Sequence, residues 1–222
     1  MTKTAQTKSK QRIADHGEVF TADREVKAML DLVKVQSERI NARFLEPACG
    51  TGNFLVEILR RKLTVCLSQS QINKSQKSPK YAQTHYERLA IEALCHIYGI
   101  ELLSDNVAEC RLRLFHIFLE HYQSHFSQTN PQVLDVAQFV LGKNIVQGNA
   151  LSLKQVDSQQ QDTDQPIIFS EWSFVGPTQI KRHDYIYQKL VDKEDQFQSY
   201  QDFRPIFYLD LPQGVPNEQR NK

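Results

Sequence analysis

Residues 43–54 read Arg43-Phe44-Leu45-Glu46-Pro47-Ala48-Cys49-Gly50-Thr51-Gly52-Asn53-Phe54, and within that stretch the chain changes character twice. A short apolar run gives way to Pro47 and small residues, two glycines follow, and Phe54, Leu55, Ile58 and Leu59 then recur at helical spacing. The pattern predicts a short buried strand over 43–48, a glycine turn and a helix in immediate succession. In an open parallel sheet, ligands settle beyond the carboxyl ends of the strands, where such turns present backbone amides at a helix N-terminus. Gly50 and Gly52 allow a tight bend and admit a ligand with no Cβ in its way. The helix start near Asn53 favours an anionic group such as a carboxylate. A turn of this kind also serves as a plain strand-to-helix connection, and the flanking sequence has to separate the two.

Working outward, residues 1–12 carry Lys3, Lys8, Lys10 and Arg12 without one acid and read as a mobile basic tail. Thr21 is placed to cap a helix running to about Glu38, with Val26, Met29, Leu30 and Val33 on one face. Residues 68–80 are too polar to pack and read as a surface loop, after which a helix spans about Tyr81 to Leu94. His96 to Glu101 is a second strand. Val107, Cys110, Leu114, Ile117 and Phe118 mark a long amphipathic helix opened by Ser104 or Asp105. A further helix follows Pro131, with Val133, Val136, Ala137 and Val140 inward, and Asn144 to Ala150 gives a third strand and turn. This alternation, with right-handed crossovers, predicts an α/β fold whose parallel sheet is covered by helices on both faces. Beyond it, 154–165 reads as a Gln/Asp-rich loop, Ile167–Val175 as a strand, Tyr185–Leu190 as a helix and 205–222 as a tail. The expected organisation is therefore a tail (1–12), one domain (13–153) and a loop-rich extension (154–222).

The composition narrows the function classes. With 222 residues the chain holds one ordinary domain, and 27 basic against 26 acidic residues leave a formal charge of +1, so no global field announces a nucleic acid or a membrane. No apolar stretch is long enough to span a bilayer, and the first residues are too polar for a signal peptide, which predicts a cytoplasmic protein. Cys49, Cys66, Cys95 and Cys110 lie far apart, without the spacing of a disulfide scaffold or a zinc ribbon. His116, His121 and His125 share a helix but lack a third ligand pattern, so no metal is expected. Tyr81, Tyr86 and Tyr98 read as packing residues, and Trp172 likewise.

The nine residues Glu46 to Phe54 resemble the S-adenosylmethionine (AdoMet) loop of adenine-specific DNA methyltransferases of restriction-modification systems, in which an acid, Pro, a small residue, Cys and Gly-x-Gly precede a Phe. No third glycine follows at the position a dinucleotide fingerprint requires. Upstream, Gly17-Glu18-Val19-Phe20-Thr21 resembles the family's N-terminal motif, although Ala22 stands where the family usually has Pro. The resemblance covers roughly residues 13–153 and implies a partial Rossmann-like class I methyltransferase fold with helical insertions. Carried over residue by residue, it implies that Phe20 and Thr21 meet the methionine end of AdoMet. Glu46, Pro47, Ala48, Cys49, Gly50, Gly52, Asn53 and Phe54 form the cofactor loop. Glu101 accepts from the ribose hydroxyls through its paired oxygens, Leu102 lies against the adenine, and Asn149 and Ala150 close the far side. Asn149 stands where the family has Asp; its amide oxygen can accept from the adenine amino group without charge assistance, so an Asp there is expected to bind more tightly. Gly52 and Glu101 are 49 residues apart, against about 20 in a minimal unit, which makes the Tyr81–Leu94 helix an insertion.

The family's catalytic motif, Asn or Asp followed by Pro-Pro and an aromatic, has no counterpart, because no Pro-Pro pair occurs in the sequence. No catalytic residue can therefore be named. The resemblance implies the cofactor-binding part of an adenine methyltransferase that meets DNA through a complementary chain, a second methyltransferase subunit carrying that motif. A truncated remnant, a non-catalytic AdoMet-binding or regulatory module, and a methyltransferase for small molecules or proteins remain alternatives.

Overall fold

The computed structural model describes residues 21–71, 78–192 and 198–213. The basic tail, Phe20 and the rest of the N-terminal motif before Thr21 lie outside them.

The first element among the described residues is helix α1 (Asp23–Asp31), whose apolar stripe buries Val26 and Leu30. Ala22, not Thr21, is its N-cap, and the Glu25 carboxylate accepts from Ala22 N at 3.3 Å. The expected single helix to Glu38 is broken: a separate turn of helix, α2 (Lys34–Ser37), rotates Ser37 inward to meet Arg61 and leaves Leu32, Val33 and Val35 exposed. Strand β1 (Phe44–Glu46) follows, then α3 (Asn53–Gln71), α4 (Pro79–Cys95), β2 (Ile97–Glu101), α5 (Ser104–His125), α6 (Pro131–Asn144) and β3 (Ile145–Gln147). Pro79 and Pro131 occupy the first turns of α4 and α6, where their missing N–H is no loss, and Ser78 Oγ and Asn130 Oδ1 accept from Tyr81 N and Gln132 N. Neither Ser104 nor Asp105 caps α5; its N-cap is Leu103.

The three strands are parallel in the order β1-β2-β3, with Phe44 opposite Ile97 and Gly99 opposite Ile145. β1 is an edge strand, so it is not the buried strand expected: among the described residues it has a neighbour on one side only, and Leu45 is 39% exposed. The chain entering β1 is held from below by Lys62, a fully buried side chain of α3 whose Nζ donates to Ile40 O (2.9 Å) and Ala42 O (2.5 Å). Leu55, Leu59 and Leu63 of α3, Ile91 and Leu94 of α4, and Leu114 and Phe118 of α5 belong to the core, with Leu55 packed beside Gly99.

At Tyr98 the opposite face meets strands rather than a helix. The region beyond β3 folds into the hairpin β4 (Lys154–Val156) and β5 (Asp162–Pro166), then β6 (Ile168–Val175), β7 (Gln179–Ile186), the short helix α7 (Tyr187–Asp192), β8 (Gln201–Asp202) and β9 (Ile206–Phe207). Residues 154–165 are thus a hairpin rather than a loop, because Thr163 Oγ1 and Gln155 Nε2 tie the two polar strands together. β7 pairs with β6, β8 and β9. Tyr98 Oη donates to Ser170 O (3.0 Å), the Phe169 ring stands edge-on to Tyr98, and Trp172 Nε1 donates to Asn144 Oδ1 (2.9 Å). Under this sheet, Arg182 is buried with Asp184 and Ser170 beneath the Phe203 ring. The expected tail from Pro205 instead carries a 3-10 turn, Tyr208–Gln213, that buries Tyr208 and Leu211 against α6. Among the described residues no helix is long and apolar enough to cross a membrane.

Candidate functional site

The turn after β1 is where local sequence and geometry agree most closely. Gly50 has φ +53° and Gly52 φ +86°, a left-handed backbone that side chains with a Cβ rarely adopt. The two glycines answer different constraints. A Cβ on Gly50 would meet nothing within 4 Å, so its hydrogen faces open space. A Cβ on Gly52 would lie 2.6 Å from Cys110 Sγ, so its hydrogen faces α5. Gly52 therefore lets the turn lie close against that helix, and Gly50 leaves its own side of the turn open.

Glu101, at the carboxyl end of β2 and 8% exposed, reaches this turn. Its Oε2 accepts from Gly50 N at 2.8 Å, and Oε1 accepts from Leu103 N at 3.0 Å and Asn106 Nδ2 at 3.4 Å. Two partners at Oε1 and one at Oε2 leave one of the carboxylate's roughly four acceptor sites, on Oε2, without a partner among these contacts. Leu102 is half-buried beside it, its carbonyl accepting from Gln147 Nε2 (3.1 Å). Thr21 joins from the other side: Asn53 Nδ2 donates to Thr21 O at 3.2 Å, which brings the end of the N-terminal motif against the first residue of α3.

The remaining predicted residues are placed less uniformly. Glu46 is half-buried at the end of β1, where burial pushes its pKa up. Pro47 and Ala48 are exposed, and Phe54 is partly buried against the core. Cys49 turns inward. Its Sγ fills the space beside Gly99, and the neighbouring Cys110 thiol together with burial drives its own thiol pKa far up, so it stays protonated. Only its backbone is available to the crevice. Asn149 is occupied locally: Oδ1 accepts from Leu151 N (2.9 Å) and Ser152 N (3.4 Å), and Nδ2 donates to Asp162 Oδ1 (3.0 Å). An adenine amino group would have to compete with that turn for the amide oxygen. Ala150 is half-buried within the same turn, next to Leu151, which is 96% exposed.

Three supporting residues were not foreseen from the sequence. Arg113 of α5 holds the turn from below, Asn106 supports Glu101, and Gln147 fixes Leu102. A polar side chain on an amphipathic helix is ordinarily solvent-facing, so neither Arg113 nor Asn106 carried a signal in the sequence. The histidines of α5 pack among aromatic rings. His121 accepts from or donates to Tyr86 Oη at 2.9 Å, and burial with His125 alongside pushes its pKa down to about 4. Among the described residues no group of His, Cys, Asp and Glu could hold a metal ion. All four cysteines are free and buried.

In comparison with known families, the family model described as MmeI, DNA-methyltransferase domain, matches residues 19–210. It spans the glycine turn, Glu101, Asn149 and the β6–β7 hairpin. No curated protein and no solved structure matches the chain.

Proposed function

Since the chain belongs to the family of MmeI DNA-methyltransferase domains, MmeI being a restriction-modification enzyme, we propose that it binds AdoMet at the carboxyl edge of its parallel sheet. The fold is read as a partial class I methyltransferase of Rossmann type. The observation that carries the proposal is the bond from Gly50 N to Glu101 Oε2, which joins the glycine turn and the ribose-binding acid of the resembling family across 51 positions. The turn supplies the methionine end of the site together with Thr21 and Asn53, and Glu101 with Leu102 supplies the ribose and adenine end. AdoMet brings the electrophilic methyl group. The chain's own residues bind and orient it.

The acceptor is the N6 amino group of adenine in DNA, by resemblance of the Glu46–Phe54 loop. Because no Pro-Pro pair occurs in these 222 residues, the groups that would hold an extruded base come from outside them, in this reading from a complementary subunit. The open side of β1, with Leu45 exposed, is where such a subunit gains ladder hydrogen bonds and buried apolar area. A restriction-modification role places the protein with cellular DNA, in the cytoplasm. The missing motif favours one second reading, an AdoMet-binding module without catalysis.

Calorimetric titration with AdoMet, followed by tritiated methyl transfer to DNA with and without the adjacent gene product, tests both. The expected result is binding by the chain alone and methylation only with a partner. No binding refutes the site. Binding without methylation under any pairing selects the module.

A further inference from the structure

The Gly50 end of the turn is anchored by Glu101, and the Thr51–Asn53 end is anchored by Arg113. A single nitrogen, Nη1, donates to Thr51 O (2.7 Å), Thr51 Oγ1 (3.0 Å) and Asn53 Oδ1 (2.8 Å). All three acceptors are neutral, and among the described residues no carboxylate lies within ion-pair distance of this guanidinium. The charge is thus spent on the shape of the turn rather than on an acid.

The contact to Asn53 has a further consequence. A guanidinium can only donate, so the side-chain oxygen of Asn53 must face Arg113 and its NH2 must face away. Facing away, that NH2 meets Thr21 O at 3.2 Å. Arg113 therefore sets the orientation of the Asn53 amide, and the amide ties down the segment that carries Thr21. Glu101, too, is held by the start of α5 through Leu103 N and Asn106. One helix thus templates both ends of the crevice, with Arg113 serving the end at Thr21.

We propose that Arg113 is a positioning residue for the amino-acid arm of the methyl donor: it fixes the Thr51–Asn53 backbone and, through Asn53, the Thr21 segment, the two stretches between which that arm would lie. This rests on the donor-binding reading above. It predicts a split between ligands. The nucleoside end is held by Glu101 and does not depend on Arg113; the arm does.

The test titrates the full chain with AdoMet and with 5′-methylthioadenosine, which has the nucleoside and lacks the arm. In Arg113→Met, AdoMet affinity should fall by about tenfold or more, the loss expected when a charge-assisted contact is removed, while methylthioadenosine affinity stays within about twofold. Arg113→Lys, which retains a charged donor, should recover part of the loss. Hydrogen exchange on the ligand-free chain should speed up at 51–54 and at Thr21 in Arg113→Met and not at 101–106. If Arg113→Met does not fold, Arg113→Gln reads the same split with one neutral donor. Unchanged AdoMet affinity, or an equal loss for both ligands, overturns the assignment. Wild-type protein that binds neither ligand refutes the donor-binding reading itself, a separate outcome.

Discussion

Gly52→Ala separates two reasons for a glycine that a sequence pattern merges. The substitution forces a Cβ onto a backbone with φ +86° and drives it to 2.6 Å from Cys110 Sγ. The left-handed backbone alone costs about 1–2 kcal/mol for a residue with a Cβ. Overpacking against a buried helix adds about 1–3 kcal/mol, because neither α5 nor the turn can withdraw without breaking other contacts. Gly52→Ala should therefore cost about 2–5 kcal/mol in all. Gly50→Ala has the same backbone problem at φ +53° and nothing within 4 Å to collide with; it should cost only about 1–2 kcal/mol. Cys110→Ala removes the colliding sulfur and leaves the Cys110 Cβ position at 3.5 Å, an ordinary contact. Combined with Gly52→Ala it should restore the overpacking part, so the double-mutant cycle shows a favourable coupling of about 1–3 kcal/mol. Urea unfolding followed by circular dichroism, with the slope checked for constancy, gives all four stabilities. Equal costs at Gly50 and Gly52, or a cycle additive within about 0.5 kcal/mol, would refute the claim that the turn lies directly on Cys110.

Three further outcomes are expected. Gly50→Val should keep the fold at a cost of about 1–3 kcal/mol but abolish AdoMet binding, since its side chain grows into the open crevice; calorimetry that finds wild-type affinity places the ligand elsewhere. Asn149→Asp, expected from the resemblance alone to tighten binding, should instead leave it unchanged or weaken it, because the new carboxylate would stand beside Asp162, now 3.0 Å from Asn149 Nδ2; adding Asp162→Asn should reverse the effect, and tighter binding by the single variant would show that residue 149 turns to the adenine. Burial holds the Lys62 pKa down to about 8 from 10.5, so the unfolded chain binds the extra proton between those values and stability rises as pH passes upward from about 8 to about 10.5, by roughly 3 kcal/mol if nothing else titrates; Lys62→Met should unfold without that rise, and a parallel pH dependence in both proteins would mean that other groups cause it.

The parts of the fold legible in the sequence are those whose residues answer to local rules. Strand, glycine turn and helix at 43–54 follow from apolar spacing and two glycines, and Pro131 marks a helix start because a helix tolerates proline only in its first turn; the loop read over 68–80 is shorter, since the flanking helices reach Gln71 and begin at Pro79. The misreadings fall where tertiary contact decides. Val33 and Met29 fit one helical period but are exposed: Met29 lies off the Val26–Leu30 stripe of α1, and α1 ends at Asp31, before Val33. Residues 154–165 are polar enough to look like a loop, yet Thr163 and Gln155 can satisfy a hairpin ladder as well as water can. Leu45 reads as a core residue, and its exposure follows from β1 lying at the sheet edge, which no local pattern encodes.

The same division runs through the site. The turn could be named from its own glycines, since a left-handed backbone favours glycine, whereas Glu101 is named through the family resemblance. Arg113, Asn106 and Gln147 act on that site from α5 and β3, and their types serve equally well on a solvated surface. Their roles exist only once right-handed crossovers have stacked α5 beneath the turn and set β3 beside β2. A substitution in the turn should therefore be felt locally, whereas one at Arg113 should be felt at Thr21, 92 positions away in the chain and one amide away in space.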